Sequence, residues 1–308
     1  MSKFFNDTRM AGRTGVQTDA SPIDIDAAVG SLKKSVESNG TGSPKEAEGS
    51  RLLKPIEEGD RLTSELAARR LVNCQSIRLP RSEDRSFLVT QYNPAMQAAV
   101  EAYRTLRTRL TKRQAKNGMR SLVVSSAAQG EGKTLTAFNL ALCYARMENF
   151  PLLIVDADLR GQGLSRLLGE PDSPGLAKIL EGGCDYQSAI LATDFAGLYA
   201  LPAGSGVSSP PELFSGLKWS EFMGWATETF RLVIVDSPPV LNMADFELLM
   251  GSCDSAILVV RSRKTLSASL SRILAEVDPS KLAGVVFNAS EEPVNGYGYH
   301  SPAGLAGS

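Results

Sequence analysis

Ser121-Leu-Val-Val-Ser-Ser-Ala-Ala-Gln-Gly-Glu-Gly-Lys-Thr-Leu135 decides how the rest of the chain is read. Its first five residues are mostly apolar and suit a buried strand. Its second part, Ala127-Ala128-Gln129-Gly130-Glu131-Gly132-Lys133-Thr134, is a glycine-rich turn. Residues 135–147 then favour a helix. A strand, a glycine turn and Gly-Lys-Thr opening a helix make the layout of a phosphate-binding loop. Backbone N–H groups at a helix N-terminus point at an anion from the positive end of the helix dipole. Gly130 and Gly132 let the backbone wrap a phosphate without Cβ clashes. Lys133 neutralises β- and γ-phosphate charge, and the Thr134 hydroxyl is a Mg²⁺ ligand in such loops. The first glycine of the usual pattern is Ala127 here. The competing reading is an ordinary turn between strand and helix, and Gly-Lys-Thr in this context argues against it.

Composition narrows the class. The chain has 308 residues, 43% of them hydrophobic, enough for one α/β domain with additional segments. A net charge of −1 offers no overall attraction to nucleic acid. Cys74, Cys143, Cys184 and Cys253 are far apart and fit reduced packing thiols. The single histidine, His300, argues against a Ser-His-Asp triad or a histidine metal site. No apolar run approaches the ~18 residues of a membrane span, and the N-terminus lacks a signal-peptide core. A membrane role is therefore expected to come through a partner, with no direct span.

Three regions are expected along the chain. Residues 1–90 are polar and read as weakly ordered, with a candidate docking helix at 21–37 whose plain alternative is a marginal surface helix. The arginines at 69, 70, 78, 81 and 85 read as solvated linker charge in preference to a membrane-surface or phosphate contact. Residues 91–289 form the main domain, and 290–308 a flexible Gly/Pro-rich tail. Asn93-Pro94 looks like a helix start. Met96, Val100, Tyr103, Leu106 and Leu110 make its apolar face, and Glu101, Arg104 and Arg107 a charged stripe expected to face outward. Alone, such a stripe is usually a surface ion-pair ladder. Apolar runs at 152–155, 198–201, 232–235, 256–260 and 282–287 read as strands. Helical patterns at 175–180, 211–214, 219–229, 244–250 and 265–277 lie between them. This predicts a mostly parallel sheet covered by helices on both faces.

Two of those strands end in carboxylates: Val155-Asp156-Ala157-Asp158-Leu159-Arg160 and Val235-Asp236-Ser237-Pro238-Pro239. Ligands of open parallel sheets bind beyond the carboxyl ends of the strands. Asp156, Asp158 and Asp236 should gather near the phosphates, to hold Mg²⁺ directly or through water, or to orient an attacking hydroxyl. Lys133 is expected to be a solvent-facing phosphate contact whose loss leaves the core intact.

Together, Gly-Glu-Gly-Lys-Thr134, Asp156-x-Asp-x-Arg160 and Asp236-Ser-Pro-Pro resemble the bacterial tyrosine kinases of capsule and exopolysaccharide export, in their soluble CpsD/CapB form. The likeness covers about residues 93–290. It implies a P-loop NTPase α/β domain that uses ATP and Mg²⁺. By resemblance, Lys133, Asp156, Asp158 and Arg160 are catalytic, and Thr134, Asp156 and Asp236 hold the metal. Ala128, Gln129, Gly130, Glu131, Gly132, Lys133, Thr134, Leu135 and Asn288 bind nucleotide, with Asn288 at the adenine. Glu101-x-x-Arg104-x-x-Arg107 resembles the family's intersubunit motif, implying a homo-oligomeric ring. The resemblance also implies tail tyrosines phosphorylated in trans, a chain-length-determinant-type membrane partner, and a place at the inner face of the plasma membrane. Only Tyr297 and Tyr299 occupy the tail, where the family usually has a dense tyrosine cluster. The alternative is a non-kinase P-loop ATPase switch of the cell-division and partition class, acting on a membrane partner. Those relatives usually carry a second lysine early in the loop, which Ser125-Ser-Ala-Ala-Gln129 lacks.

Overall fold

A computed structural model describes residues 59–80, 97–170, 172–204, 209–240 and 244–289. In chain order the elements are α1 (Gly59–Arg70), β1 (Gln75–Ile77), α2 (Gln97–Asn117), β2 (Ser121–Ser126), α3 (Lys133–Tyr144) and β3 (Leu152–Asp156). Next come α4 (Gly163–Leu168), α5 (Leu176–Leu180), α6 (Tyr186–Ala189), β4 (Leu191–Thr193), β5 (Leu198–Leu201), α7 (Pro210–Ser215) and α8 (Leu217–Thr229). The last are β6 (Leu232–Asp236), α9 (Ala244–Ser252), β7 (Ser255–Arg261), α10 (Ser267–Glu276) and β8 (Leu282–Asn288).

The strands form one sheet in the order β1-β4-β5-β3-β6-β2-β7-β8. All pairs are parallel except β4 with β5. That exception follows from chain length: only 194–197 join the two strands, too few for a parallel crossover. The central strands are apolar at successive positions because both sheet faces are covered. Leu122, Val124, Leu152, Ile154, Leu232 and Ile234 face the layer of α2, α3 and α4. Val123, Leu153, Val155, Val233 and Val235 face the opposite layer, which holds Trp219 and Phe222 of α8. The fold is the P-loop α/β architecture that the strand-loop-helix pattern predicts.

The expectation of a weakly ordered region up to residue 90 is corrected for 59–80. Ala67 and Leu71 are buried against the α8 layer, and Ile77 and Leu79 against the other. Arg70 is not solvated linker charge: its Nη1 donates to Thr229 Oγ1 at 2.7 Å. The β1 strand adds to the sheet edge beside β4. Local pattern hid this segment, because its buried residues are sparse and its strand has three residues. The candidate helix at 21–37, the helix start at 93–94 and the tail lie outside the described residues.

Candidate active site

The carboxyl ends of β2, β3, β6, β7 and β8 bring together most of the predicted site. The phosphate loop leaves β2 and enters α3 through Gly132, which has φ 96°. Gly130 also has positive φ, at 79°. A side chain at Gly132 would be strained by backbone and blocked by a neighbour, since its Cβ would lie 2.1 Å from Asn288 Nδ2.

Lys133 opens α3 but is only 8% exposed, which corrects the solvent-facing expectation. Its ammonium lies 2.9 Å from Asp158 Oδ2, 3.7 Å from Asp236 Oδ1 and 3.4 Å from Thr134 Oγ1. Burial lowers its proton affinity, but the charges of Asp236, Asp158 and Asp156 outweigh that, so its pKa is raised. The cation is part of a buried charge cluster, and its removal strips carboxylates of their counterion.

The three strand-end carboxylates are not equivalent. Asp156 is fully buried and already committed: Oδ2 accepts from Ser165 N at 2.8 Å and Ser165 Oγ at 2.7 Å. Its Oδ1 accepts from Asp158 N at 3.2 Å. Burial pushes its pKa up to about 6 against those hydrogen bonds. Asp158 bonds Gly161 N at 2.8 Å through Oδ1 and Lys133 through Oδ2, and at 8% exposure it reaches the site mouth. Asp236 is fully buried, and neither carboxylate oxygen has a hydrogen-bond partner. Burial raises its pKa to about 7, opposed chiefly by Lys133 and also by the Thr134 hydroxyl.

Two orphaned carboxylate oxygens beside a Thr hydroxyl fit a divalent cation. Among the described residues no three His, Cys, Asp or Glu side chains form a metal cage. That matches Mg²⁺, which usually takes one or two carboxylates and completes its shell with water and substrate phosphates.

The remaining predicted residues divide. Arg160 is half exposed, with Nε 3.6 Å from Asp245 Oδ2. Asp245 is buried at the start of α9, its other oxygen unpartnered, and burial raises its pKa against Arg160. Ala128, Gln129 and Gly130 are exposed on the loop. The Leu135 carbonyl accepts from Asn139 Nδ2 at 2.8 Å. Glu131 is 1% exposed and turned away from the mouth: Oε2 accepts from Ala128 N at 2.9 Å, and Oε1 from the Thr265 hydroxyl. Asn288 Nδ2 donates to Glu131 O at 2.9 Å, bracing the loop from the end of β8. Sequence reasoning missed Ser165, Asp245 and Thr265. Each meets a motif residue by its position in the fold, and none carries a motif of its own.

The predicted stripe on α2 is also divided. Glu101 and Arg104 are exposed and ion-paired with each other. Arg107 instead turns inward, donating to Cys143 O at 2.8 Å near the end of α3. A cation there satisfies a terminal helix carbonyl. Tyr297 and Tyr299 lie outside the described residues.

A glycine loop opening a helix beneath strand-end aspartates defines a P-loop nucleotide-binding protein. Relatives sharpen that class. The Bacillus subtilis tyrosine-protein kinase YwqD is 33% identical over 205 residues, 65% of this chain and 85% of that protein. The Salmonella typhimurium tyrosine-protein kinase Wzc is 29% identical over 205 residues, again 65% of this chain but only 28% of Wzc. Among solved structures, the VpsO kinase domain has a TM-score of 0.56 at 27% identity, covering 63% of this chain and 96% of that domain. The chimerical protein CapA2B2 has a TM-score of 0.60 at 26% identity, covering 73% and 97%. No family model matches the chain. The chain belongs to the bacterial tyrosine-protein kinase family, and its enzyme class is protein-tyrosine kinase.

Proposed function

We propose that this chain transfers the γ-phosphoryl group of ATP to tyrosine, including tyrosines of its own tail, and that this regulates polysaccharide polymerisation and export. The buried cluster of Lys133, Thr134 and the orphaned Asp236 carboxylate carries the reading. Its cation and donors suit phosphate, and its carboxylate, which no hydrogen bond satisfies, suits a metal-bound phosphate. When bound there, Mg²⁺ would neutralise charge on the transferring phosphoryl group. Lys133 has three N–H donors. Asp158 and Thr134 engage two, which leaves one for a phosphate oxygen.

Asp158 is the strand-end carboxylate best placed to orient the acceptor, because Asp156 and Asp236 are sealed from solvent. The acceptor's phenolic oxygen forms the new P–O bond. The bond between phosphorus and the β-phosphate oxygen breaks, ADP leaves with that electron pair, and the phenolic proton passes to a carboxylate. Asp156, locked by Ser165, shapes the turn that presents Asp158. A membrane protein of the chain-length-determinant type is the proposed partner, and a ring of protomers at the inner membrane face the proposed assembly. No described helix is long and apolar enough to cross a membrane.

Labelled ATP followed by phosphotyrosine detection tests this. Wild type should acquire phosphotyrosine, and Tyr297→Phe/Tyr299→Phe should lose most of it. ATP hydrolysis without phosphotyrosine on the chain or on added tyrosine peptides would replace the kinase reading with the ATPase switch.

A further inference from the structure

The end of β7 and the turn that follows it grip the phosphate loop. Thr265 is 7% exposed, accepts from Arg261 N at 3.0 Å and donates to the buried Glu131 carboxylate. Through its other oxygen Glu131 holds the Ala128 amide. Two cations, one ending β7 and one in the turn, reach loop carbonyls: Arg261 Nη1 lies 3.2 Å from Gly130 O, and Lys264 Nζ lies 3.4 Å from Gln129 O. The turn is tied in turn to the end of β8, where Ser262 N donates to Asn288 O at 2.9 Å. Asn288 closes the circuit by donating to Glu131 O. Glu131 is thus the point at which two separate segments, the turn after β7 and the end of β8, hold the loop.

We infer that Thr265 is a positioning residue for nucleotide binding: its hydroxyl fixes Glu131, and Glu131 fixes the backbone curvature that presents the loop amides to phosphate. The inference rests on the loop being the ATP site and is independent of tyrosine as acceptor. Loop amides are worth most when held in place before the anion arrives, since ordering them on binding subtracts from affinity. A hydrogen bond to a buried carboxylate is among the stronger ones, and without it Glu131 is left under-satisfied. The role separates Glu131 from the groups that touch nucleotide.

The test compares Thr265→Val, Thr265→Ala and Thr265→Ser by titration with a fluorescent ATP analogue plus Mg²⁺, and by steady-state kinetics. Val and Ala should raise the nucleotide Kd and the KM for ATP by at least about tenfold. Their kcat at saturating ATP should stay within about twofold, because Lys133, Asp158 and Asp236 are untouched. Ser should restore wild-type affinity. Unchanged Kd in Val and Ala overturns the inference, as does a loss of kcat without a change in KM. If Val fails to fold by circular dichroism, the Ala and Ser pair decides. Nucleotide binding by wild type without phosphotyrosine would overturn the kinase reading alone. Absence of nucleotide binding by wild type would overturn both.

Discussion

The two ends of the same sheet treat polar groups in opposite ways. At the amino ends of β2 and β7, Asp254 Oδ2 accepts from Arg120 N, Ser121 N and Ser121 Oγ at 2.8, 2.9 and 2.8 Å. Beside it, Lys281 Nζ donates to the carbonyls of Met250, Gly251 and Cys253 at 2.9, 2.9 and 3.1 Å, closing the end of α9. At the carboxyl ends, Asp236 and Asp245 keep buried oxygens without hydrogen-bond partners, and Lys133 is drawn among several carboxylates. One end satisfies its charges locally. The other holds them desolvated and incompletely hydrogen-bonded, which costs stability and suits the phosphate and metal proposed to bind there. Stability and chemistry have been placed on opposite edges of one scaffold.

Removing the cation from the incompletely satisfied end should have the largest effect. Lys133→Met should abolish ATP turnover and, unlike loss of a solvent-facing lysine, should lower stability by about 3 kcal/mol near pH 8. The stability loss should shrink at lower pH, where Asp156 and Asp236 take up protons. Nucleotide titration and urea melts at two pH values measure both, and an unchanged melt would break the buried-cluster description.

Asp236→Asn should cut phosphoryl transfer at least about 100-fold, while Asp158→Ala does the same. The first should also raise the melting temperature near neutral pH, because it removes a buried charge with no hydrogen bond from beside Asp156 and Asp158 while Lys133 keeps Asp158 as its partner. A variant both inactive and less stable would contradict the contrast between the two ends.

The pH dependence of wild-type stability follows in size. The folded pKa values of Asp156 and Asp236, about 6 and about 7, lie above the ordinary 3.8. Across that window the native chain binds more protons than the unfolded one, so their contribution to stability grows as pH falls. Thermal melts from pH 8 down to about pH 5.5 should rise in midpoint. Asp236→Asn should flatten the slope, and a midpoint that falls over this range would refute the sign.

At the satisfied end, Asp254→Ala should cost about 1 kcal/mol by leaving three donors to solvent or unpaired, with kcat per folded molecule unchanged. The smallest effect on the fold belongs to Arg104→Ala, whose exposed pair with Glu101 is worth a few tenths of a kcal/mol. If Glu101 and Arg104 face a neighbouring protomer, light scattering should nevertheless show smaller assemblies with ATP binding retained. Arg107 is a poorer probe, since its loss also strips the Cys143 carbonyl.

The sequence by itself determined the kind of chemistry. Gly130, Gly132, Lys133 and Thr134 lie in one short motif with the layout of a phosphate-binding loop, and an apolar run before Asp156 or Asp236 points to a strand end. Strand and helix periodicity are local, so the six longer strands could be read directly, while the three-residue β1 and β4 could not. Only the tertiary structure decided which charges are paired, buried or free. It placed Glu131 inward on Thr265, 134 positions away, and Lys133 against Asp158 rather than toward water. It turned Arg107 onto α3 and drew 59–80 onto the sheet edge. Hydrogen-bond satisfaction and desolvation depend on which atoms come within about 3 Å of each other. Residues far apart in the chain meet there only after it has folded.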